Sequence, residues 1–309
     1  MILSFLPYIG LWVAMYFSYS YSYLLCMFLA FVNAFFLVRI FIIQHDCGHF
    51  SFLKNRTAGN IIGNICSVLS LIPYKYWSKS HSLHHANNGK LEIRDIGDLD
   101  FLTVEEYQKL GKFKQFMYRV YRSVPVMFFI IPVYYMFIHN RLPLIKLPAF
   151  KKEWLPLMAS NLGIALFYIL IGYLVGFKAF LMVQIPIWVF FGMIAIWFFY
   201  VQHQHEETYK AWKHQWEYLL SALKGSTFYD LPKWMHWLTG NIGYHHIHHL
   251  NSFIPNYNLA KCHEENPVFH KYVVKMGFFE SFKCAMNKLW DEQSQRMITF
   301  GEYKKRFKK

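Results

Sequence analysis

The chain has 309 residues, 55% hydrophobic and 20% aromatic, with 16% charged; soluble domains carry roughly 25% charge, so an ordinary soluble globular protein is excluded. The formal net charge of +14 comes without any nucleic-acid recognition motif, and a basic face toward anionic lipid headgroups or an acidic partner protein accounts for it. The five cysteines, Cys26, Cys47, Cys66, Cys262 and Cys284, are odd in number and lack CxxC spacing, which predicts reduced thiols and no disulfide framework.

No Asp, Glu, Lys or Arg precedes Arg39, room enough for two membrane spans of about 20 residues each, expected at 2–20 and 24–44. The first has no basic n-region and no small-residue cleavage site, so a retained span is expected rather than a signal peptide. The apolar stretch 58–74 is short, and 123–140 is interrupted by Pro125 and Pro132; both are expected to be interfacial or re-entrant. Between them, TVEE at 103–106 has the pattern of a capping box, Thr103 with Glu106, opening a short helix. Two further uncharged runs, Trp154–Phe177 and Ala179 to the QHQH at 202–205, are separated only by Lys178 and predict spans at 155–176 and 180–201. The expected fold class is therefore an all-α membrane protein, four transmembrane helices in two hairpins, forming one domain over 1–309. Thirty of the 32 Lys and Arg fall within 45–154 and 203–309, which two hairpins put on one side. By the positive-inside rule that side is cytoplasmic, with both termini. The basic end KKRFKK at 304–309 is expected to be a solvated or lipid-touching charge run.

The 16 histidines cluster. HDCGH sets His45 and His49 four apart at the end of the second span. HSLHH sets His81, His84 and His85 at i, i+3 and i+4, and HHIHH repeats that spacing with His245, His248 and His249, with His246 between them. Residues three and four apart share a helix face, so each cluster can aim two or three ring nitrogens at one place. VQHQHE ends the fourth span and puts His203 at the same membrane boundary as His45. A lone histidine such as His139, His214, His236, His263 or His270 is an ordinary surface or core residue. Three clusters of helical spacing on one predicted side point instead to a metal site. Nine candidate ligands are too many for one ion that must keep an open position, so two ions sharing them is the economical solution. Imidazole suits Zn, Cu, Fe and Ni alike; neutral ligands in a reducing compartment fit iron.

HDCGH, HSLHH and HHIHH, in this order around two membrane hairpins, closely resemble the three histidine boxes of integral-membrane fatty acid desaturases. YKYWSKSHSLHHANNGKLEIRDIGDLDFLTVEEY is similar to the second-box region of bacterial acyl-lipid desaturases, and FYVQHQHE and GNIGYHHIHHLNSFIPNY to their fourth-span end and third box; the likeness covers roughly 40–265. It implies a four-helix stem with a cytoplasmic helical cap, in a bacterial cytoplasmic membrane, and a non-haem diiron centre. Its ligands would be His45, His49, His81, His84, His85, His203, His245, His248 and His249. Some relatives add a water-bridging Asn four residues before the isolated histidine. Here that position is Phe199, and His205 or His246 is the candidate replacement.

The reaction so implied is O2-dependent dehydrogenation of an acyl chain carried on a lipid, CoA or carrier protein. Candidate supports behind the ligands are Asp46, Glu206, Glu207, Asp95 and Asp98, since bound histidines usually donate their other N–H to a carboxylate or carbonyl. Gly48 either lets backbone or substrate pass close to the metals or relieves crowding. Trp77, Trp188, Trp197 and Tyr200 are candidates to line an acyl tunnel, although packing or lipid contact is the more ordinary role. The chain has no HPGG haem signature, no GxGxxG and no Fe–S cysteine pattern, so a separate ferredoxin-like electron donor is expected. A membrane hydroxylase or ketolase acting on alkane, sterol or carotenoid is the alternative enzyme. A metal transporter would want ligands near the bilayer midplane, and a bis-histidine haem protein would want them inside two spans; these histidines sit at span ends and in loops.

Overall fold

A computed structural model describes residues 1–307 apart from 95 and 98. The helices that matter here are α1 (Ile2–Ser18), α2 (Tyr23–Gly48), α3 (Arg56–Ser70), α4 (Tyr74–Asn87), α5 (Val104–Lys109), α6 (Lys112–Tyr121), α7 (Ile131–Phe137), α8 (Trp154–Val175), α9 (Phe177–His203), α10 (Tyr218–Leu223), α11 (Lys233–Leu238) and α12 (His245–Leu250). Among the described residues five short strands accompany them: β1 (Leu102–Thr103), β2 (Thr227–Asp230), β3 (Val274–Gly277), β4 (Leu289–Asp291) and β5 (Arg296–Ile298). The chain divides into two compact units. One comprises Met1–Lys79, Pro132–Ala195 and Trp237–Gly240; the other comprises Ser80–Ile131, Ile196–His236 and Asn241–Lys309.

The first unit is built of apolar helices. α2, the run Pro148–Val175 and α9 are each long and apolar enough to cross a membrane. At 1.5 Å per residue, the 26 residues of α2 span about 39 Å, more than the ~30 Å of a hydrocarbon core. α1 stops at Ser18 after 17 residues, short of the expected 2–20. α6 and the run Val126–Arg141 pass the test only as a pair, bent by 55°. The run opens with a π turn, Val126–Ile130, ahead of Pro132, whose missing N–H cannot continue the α ladder. The 58–74 stretch becomes α3, capped by the Asn55 side chain accepting from Ala58 N at 3.0 Å.

Several polar groups inside this unit find partners, which offsets the cost of burying them. Trp12 Nε1 donates to Gln184 Oε1 at 2.8 Å, and Asn33 Nδ2 donates to the Tyr8 carbonyl at 3.1 Å. Gln44 is held at both ends, donating to Ile72 O at 2.9 Å and accepting from Ser70 Oγ at 2.7 Å. Arg39, the lone Lys or Arg of the first two helices, donates to Ser4 Oγ and lies over the Trp237 ring, 4.1 Å from its centroid.

The second unit is not purely helical, a departure from the all-α expectation. β4 pairs with β1 in parallel and with β5 antiparallel, and β2 pairs with β3 in parallel. Its apolar core gathers Val104, Tyr107, Tyr118, Leu289, Ile298 and Tyr303, with a second cluster of Leu91, Phe101, Trp290 and Met297. The capping box forms as expected: Thr103 Oγ1 accepts from Glu106 N, and the Glu106 carboxylate accepts from Thr103 N. The five cysteines are free thiols.

Candidate metal centre

In the first unit, α2 ends in the HDCGH segment. The rings of His45 and His49, four residues apart, have centroids 4.8 Å apart, and both side chains are buried. His45 Nδ1 lies 3.0 Å from Asp46 Oδ1, which fixes that nitrogen as the N–H and leaves Nε2 as the lone pair. A Cβ on Gly48 would fall 2.5 Å from Ser78 Oγ, so glycine is what lets α2 approach α4 there.

In the second unit the other three ligand-bearing segments meet. α4 splits its histidines between two directions. His81 Nε2 and His85 Nε2 stand 3.0 Å apart, while His84 Nε2 reaches His203 Nε2 at 3.2 Å. His203, the last residue of α9, is fully buried. Its Nδ1–H donates to the Gly225 carbonyl at 3.0 Å, so its Nε2 presents a lone pair. His245 Nε2 lies 2.9 Å from that atom and 3.1 Å from His249 Nε2.

His84, His203, His245 and His249, all buried, thus bring one nitrogen each within 4.8 Å of one another. His81, His85 and His248 converge likewise, with the His85 and His248 rings at 4.5 Å. Burial, and then His85 and His245, push His249 well below the ordinary imidazole range, so it is neutral at pH 7. Lone pairs facing one another at ~3 Å in a dry pocket repel unless a cation sits between them. That spacing is also what two imidazoles give around one ion at bond lengths of ~2.1 Å. The residues fit a metal, and the tetrad is the fragment whose donor geometry says so most directly.

The two candidate replacements for a tenth ligand point elsewhere. His205 donates from Nε2 to the Lys224 carbonyl at 3.1 Å, and burial together with Lys210 pulls it down to about 3. His246 turns its Nε2 to His263 Nδ1 at 3.2 Å, and burial followed by His263 pulls it to about 3 as well. Phe199 packs its ring against His84 and His203, at 5.2 and 4.9 Å. The position four before His203 therefore closes the site with an apolar face, not a polar hook. Glu206 is exposed and pairs with Arg296 at 2.6 Å, and Glu207 is exposed. Asp95 and Asp98 lie outside the described residues.

The four tunnel candidates are committed to packing and hydrogen bonds. Trp77 packs on Phe41 and His45, and Trp188 donates to Leu69 O. Trp197 packs on Phe128 and Phe282. Tyr200 donates to Asn287 O.

Sequence reasoning missed two groups that set the last turn of α9. Gly225, 22 residues past His203, orients that ring through its carbonyl. Arg122, fully buried, donates to Asp100 O, Tyr200 Oη, Gln204 Oε1 and Asn287 O. A backbone carbonyl has no sequence signature, and a lone Arg after an amphipathic helix reads as surface charge.

Helices long and apolar enough to cross a membrane, together with buried histidine groups that could hold a metal ion, define a class, the histidine-rich membrane-type helical proteins. Within it, the fatty acid desaturase family model matches residues 4–280. A fatty acid desaturase of Bacillus subtilis is 41% identical over 301 residues, covering 97% of this chain and 85% of that protein. The sn-1 oleoyl-lipid 12-desaturase of Synechocystis is 26% identical over 289 residues, covering 87% and 77%. The ferredoxin-dependent, temperature-sensitive sn-2 acyl-lipid omega-3 desaturase of Arabidopsis thaliana chloroplasts is 28% identical over 249 residues, covering 75% and 54%. The chain belongs to the fatty acid desaturase family, and is an enzyme that desaturates fatty acids.

Proposed function

We propose that this enzyme introduces a double bond into the acyl chain of a membrane lipid, with two iron ions held by nine histidines, O2 as co-substrate and electrons from a separate carrier. The convergence of His84, His203, His245 and His249 carries this reading. His81, His85 and His248 form the core of the second ion's ligand set, and His45 and His49 complete it. That pairing rests on their box spacing, their burial and the Asp46 contact that orients the His45 ring.

When bound, the iron pair supplies the O2 chemistry needed to take hydrogen from an unactivated methylene. Two electrons and two protons join two hydrogens from the chain, reducing one O2 to two waters. The protein's own contribution is positioning and exclusion of water. Gly225 O and Asp46 orient imidazoles, and Phe199 keeps an apolar face on the tetrad. Acid–base residues are not required, because the substrate has no acidic proton to remove.

The family match spans both compact units, which supports treating the whole chain as one desaturase domain. We take its topology as two membrane hairpins with the basic blocks and both termini cytoplasmic. The acyl-lipid substrate is supported by the Synechocystis and Arabidopsis relatives, which are acyl-lipid desaturases by name.

The test is the fatty acid profile of a desaturase-free host expressing this chain beside a His248→Ala variant. A new unsaturated acid that disappears in the variant is the expected result, and its double-bond position reports regiochemistry. A hydroxylated product instead would move the assignment to the hydroxylases.

A further inference from the structure

The second unit contains a cleft of about 460 Å³ that the desaturation chemistry does not use. His205, Cys284 and Asn287 line it, and Lys224, Lys271, Lys275 and Lys283 are among the exposed residues around it. We infer that this cleft is where the electron carrier docks, and that the carrier is an acidic one-electron protein. The inference rests on the desaturase reading, which needs two electrons per turnover; two reduced carriers, each oxidised by one electron, supply them.

Three observations point there. The first is proximity to the tetrad. Lys224 forms part of the cleft wall and accepts from His205, while the next carbonyl, Gly225 O, accepts from Nδ1 of His203. One peptide unit and one hydrogen bond therefore separate the wall from a metal ligand. Electron tunnelling decays exponentially with distance, so a carrier must approach a centre by such a route.

The second observation is charge. Lys224, Lys271 and Lys283 have no carboxylate within 4.0 Å among the described residues, whereas Lys275 is paired with Asp230 at 2.9 Å. Of the three acidic lining residues, Glu206 is taken up by Arg296 at 2.6 Å, Glu280 turns back toward the Gly277 N–H at 3.5 Å, and Glu207 is exposed, one carboxylate against the three lysines. The uncommitted charge is thus mainly cationic, on a chain of net +14, which steers an acidic partner. Third, the polar lining is wrong for an acyl chain, while redox encounters need only a small contact area.

The experiment uses metal-loaded full-length protein in nanodiscs, with a reduced acidic [2Fe–2S] ferredoxin as the carrier probe and dithionite as the small reductant. Compared are the wild type, a Lys224→Glu/Lys271→Glu/Lys283→Glu triple variant, and Lys261→Glu as a charge-reversal control on an exposed helix. Ferredoxin Kd is read by calorimetry, and ferredoxin-driven and dithionite-driven product formation are read separately. We expect the triple variant to weaken ferredoxin Kd and raise its KM by about tenfold or more. It should flatten the salt dependence and keep metal content and dithionite-driven turnover near wild type, with Lys261→Glu unchanged on every measure. An unchanged Kd in the triple variant, an equal loss in Lys261→Glu, or no ferredoxin binding by wild type overturns the docking assignment. A wild type that binds ferredoxin at the cleft but makes no unsaturated product sinks the desaturase reading instead, because binding and product are read apart.

Discussion

His203 shows how one side chain acquires a role from its surroundings. Its Nδ1–H is committed to Gly225 O, which leaves Nε2 to face His84 and His245. In a His203→Ala variant, bound iron should fall from two per chain to about one, measured by elemental analysis of purified protein, since three remaining imidazoles hold an ion far less well. Lys288 gives a second prediction at this scale. Burial, and then the nearby Arg122, lower it to about 7, and its Nζ donates to Ala285 O. Between pH 7 and the ordinary lysine value near 10.5 the unfolded chain binds the proton and the folded one does not, so stability rises with pH across that window. Lys288→Met should flatten that rise in a metal-free thermal-denaturation series; an unchanged slope would show that Lys288 is charged in the folded protein at pH 8–9.

Among the elements, α12 is too short to be stable alone: six residues form at most two turns. It is held by the bridge between Phe228 and Tyr244 and by the Tyr229 N–H donating to Gly243 O at 2.8 Å. A Cβ on Gly243 would meet His236 Cε1 and Tyr229 O, both at 2.7 Å. Gly243→Ala must therefore shift the start of α12, costing about 1–3 kcal/mol; reduced metal loading alongside a lower Tm is the expected readout. The last turn of α9 depends on Arg122 in a similar way. Arg122→Lys keeps the charge but loses the planar fork that reaches four acceptors, so we expect it to behave nearly as badly as Arg122→Met, each lowering stability by about 3 kcal/mol or more. Full rescue by lysine would mean that charge alone matters there.

At the scale of the whole molecule, metal and fold should be linked. Ligands that bind the folded chain stabilise it by mass action, and convergent imidazoles in a buried pocket are costly when empty. Removal of metal by a chelator should lower the thermal midpoint of wild type, and re-addition of Fe(II) should restore it. A chelator-insensitive midpoint would count against any metal at these histidines. Much of this molecule was legible beforehand. α2, α8 and α9 follow from uncharged apolar runs of membrane-crossing length, and the Thr103–Glu106 box formed where its spacing put it. α1 ended earlier than its uncharged run suggested, because hydropathy marks where charge is absent and not where a helix stops.

What the sequence determined by itself was local and periodic: which segments are apolar for membrane length, and which histidines share a helix face at i, i+3 and i+4. These are properties of one helix, and a helix carries them wherever it packs. Only the tertiary structure decided that His84 turns toward His203, away from His81 and His85, that His246 and His205 turn away to His263 and Lys224, and that Gly225 aims a carbonyl at a ligand. It also decided that 227–230 lies beside 274–277 in a parallel pair. Each of those choices joins groups distant along the chain through a backbone atom or a packing direction, and neither leaves a mark in the order of residue types.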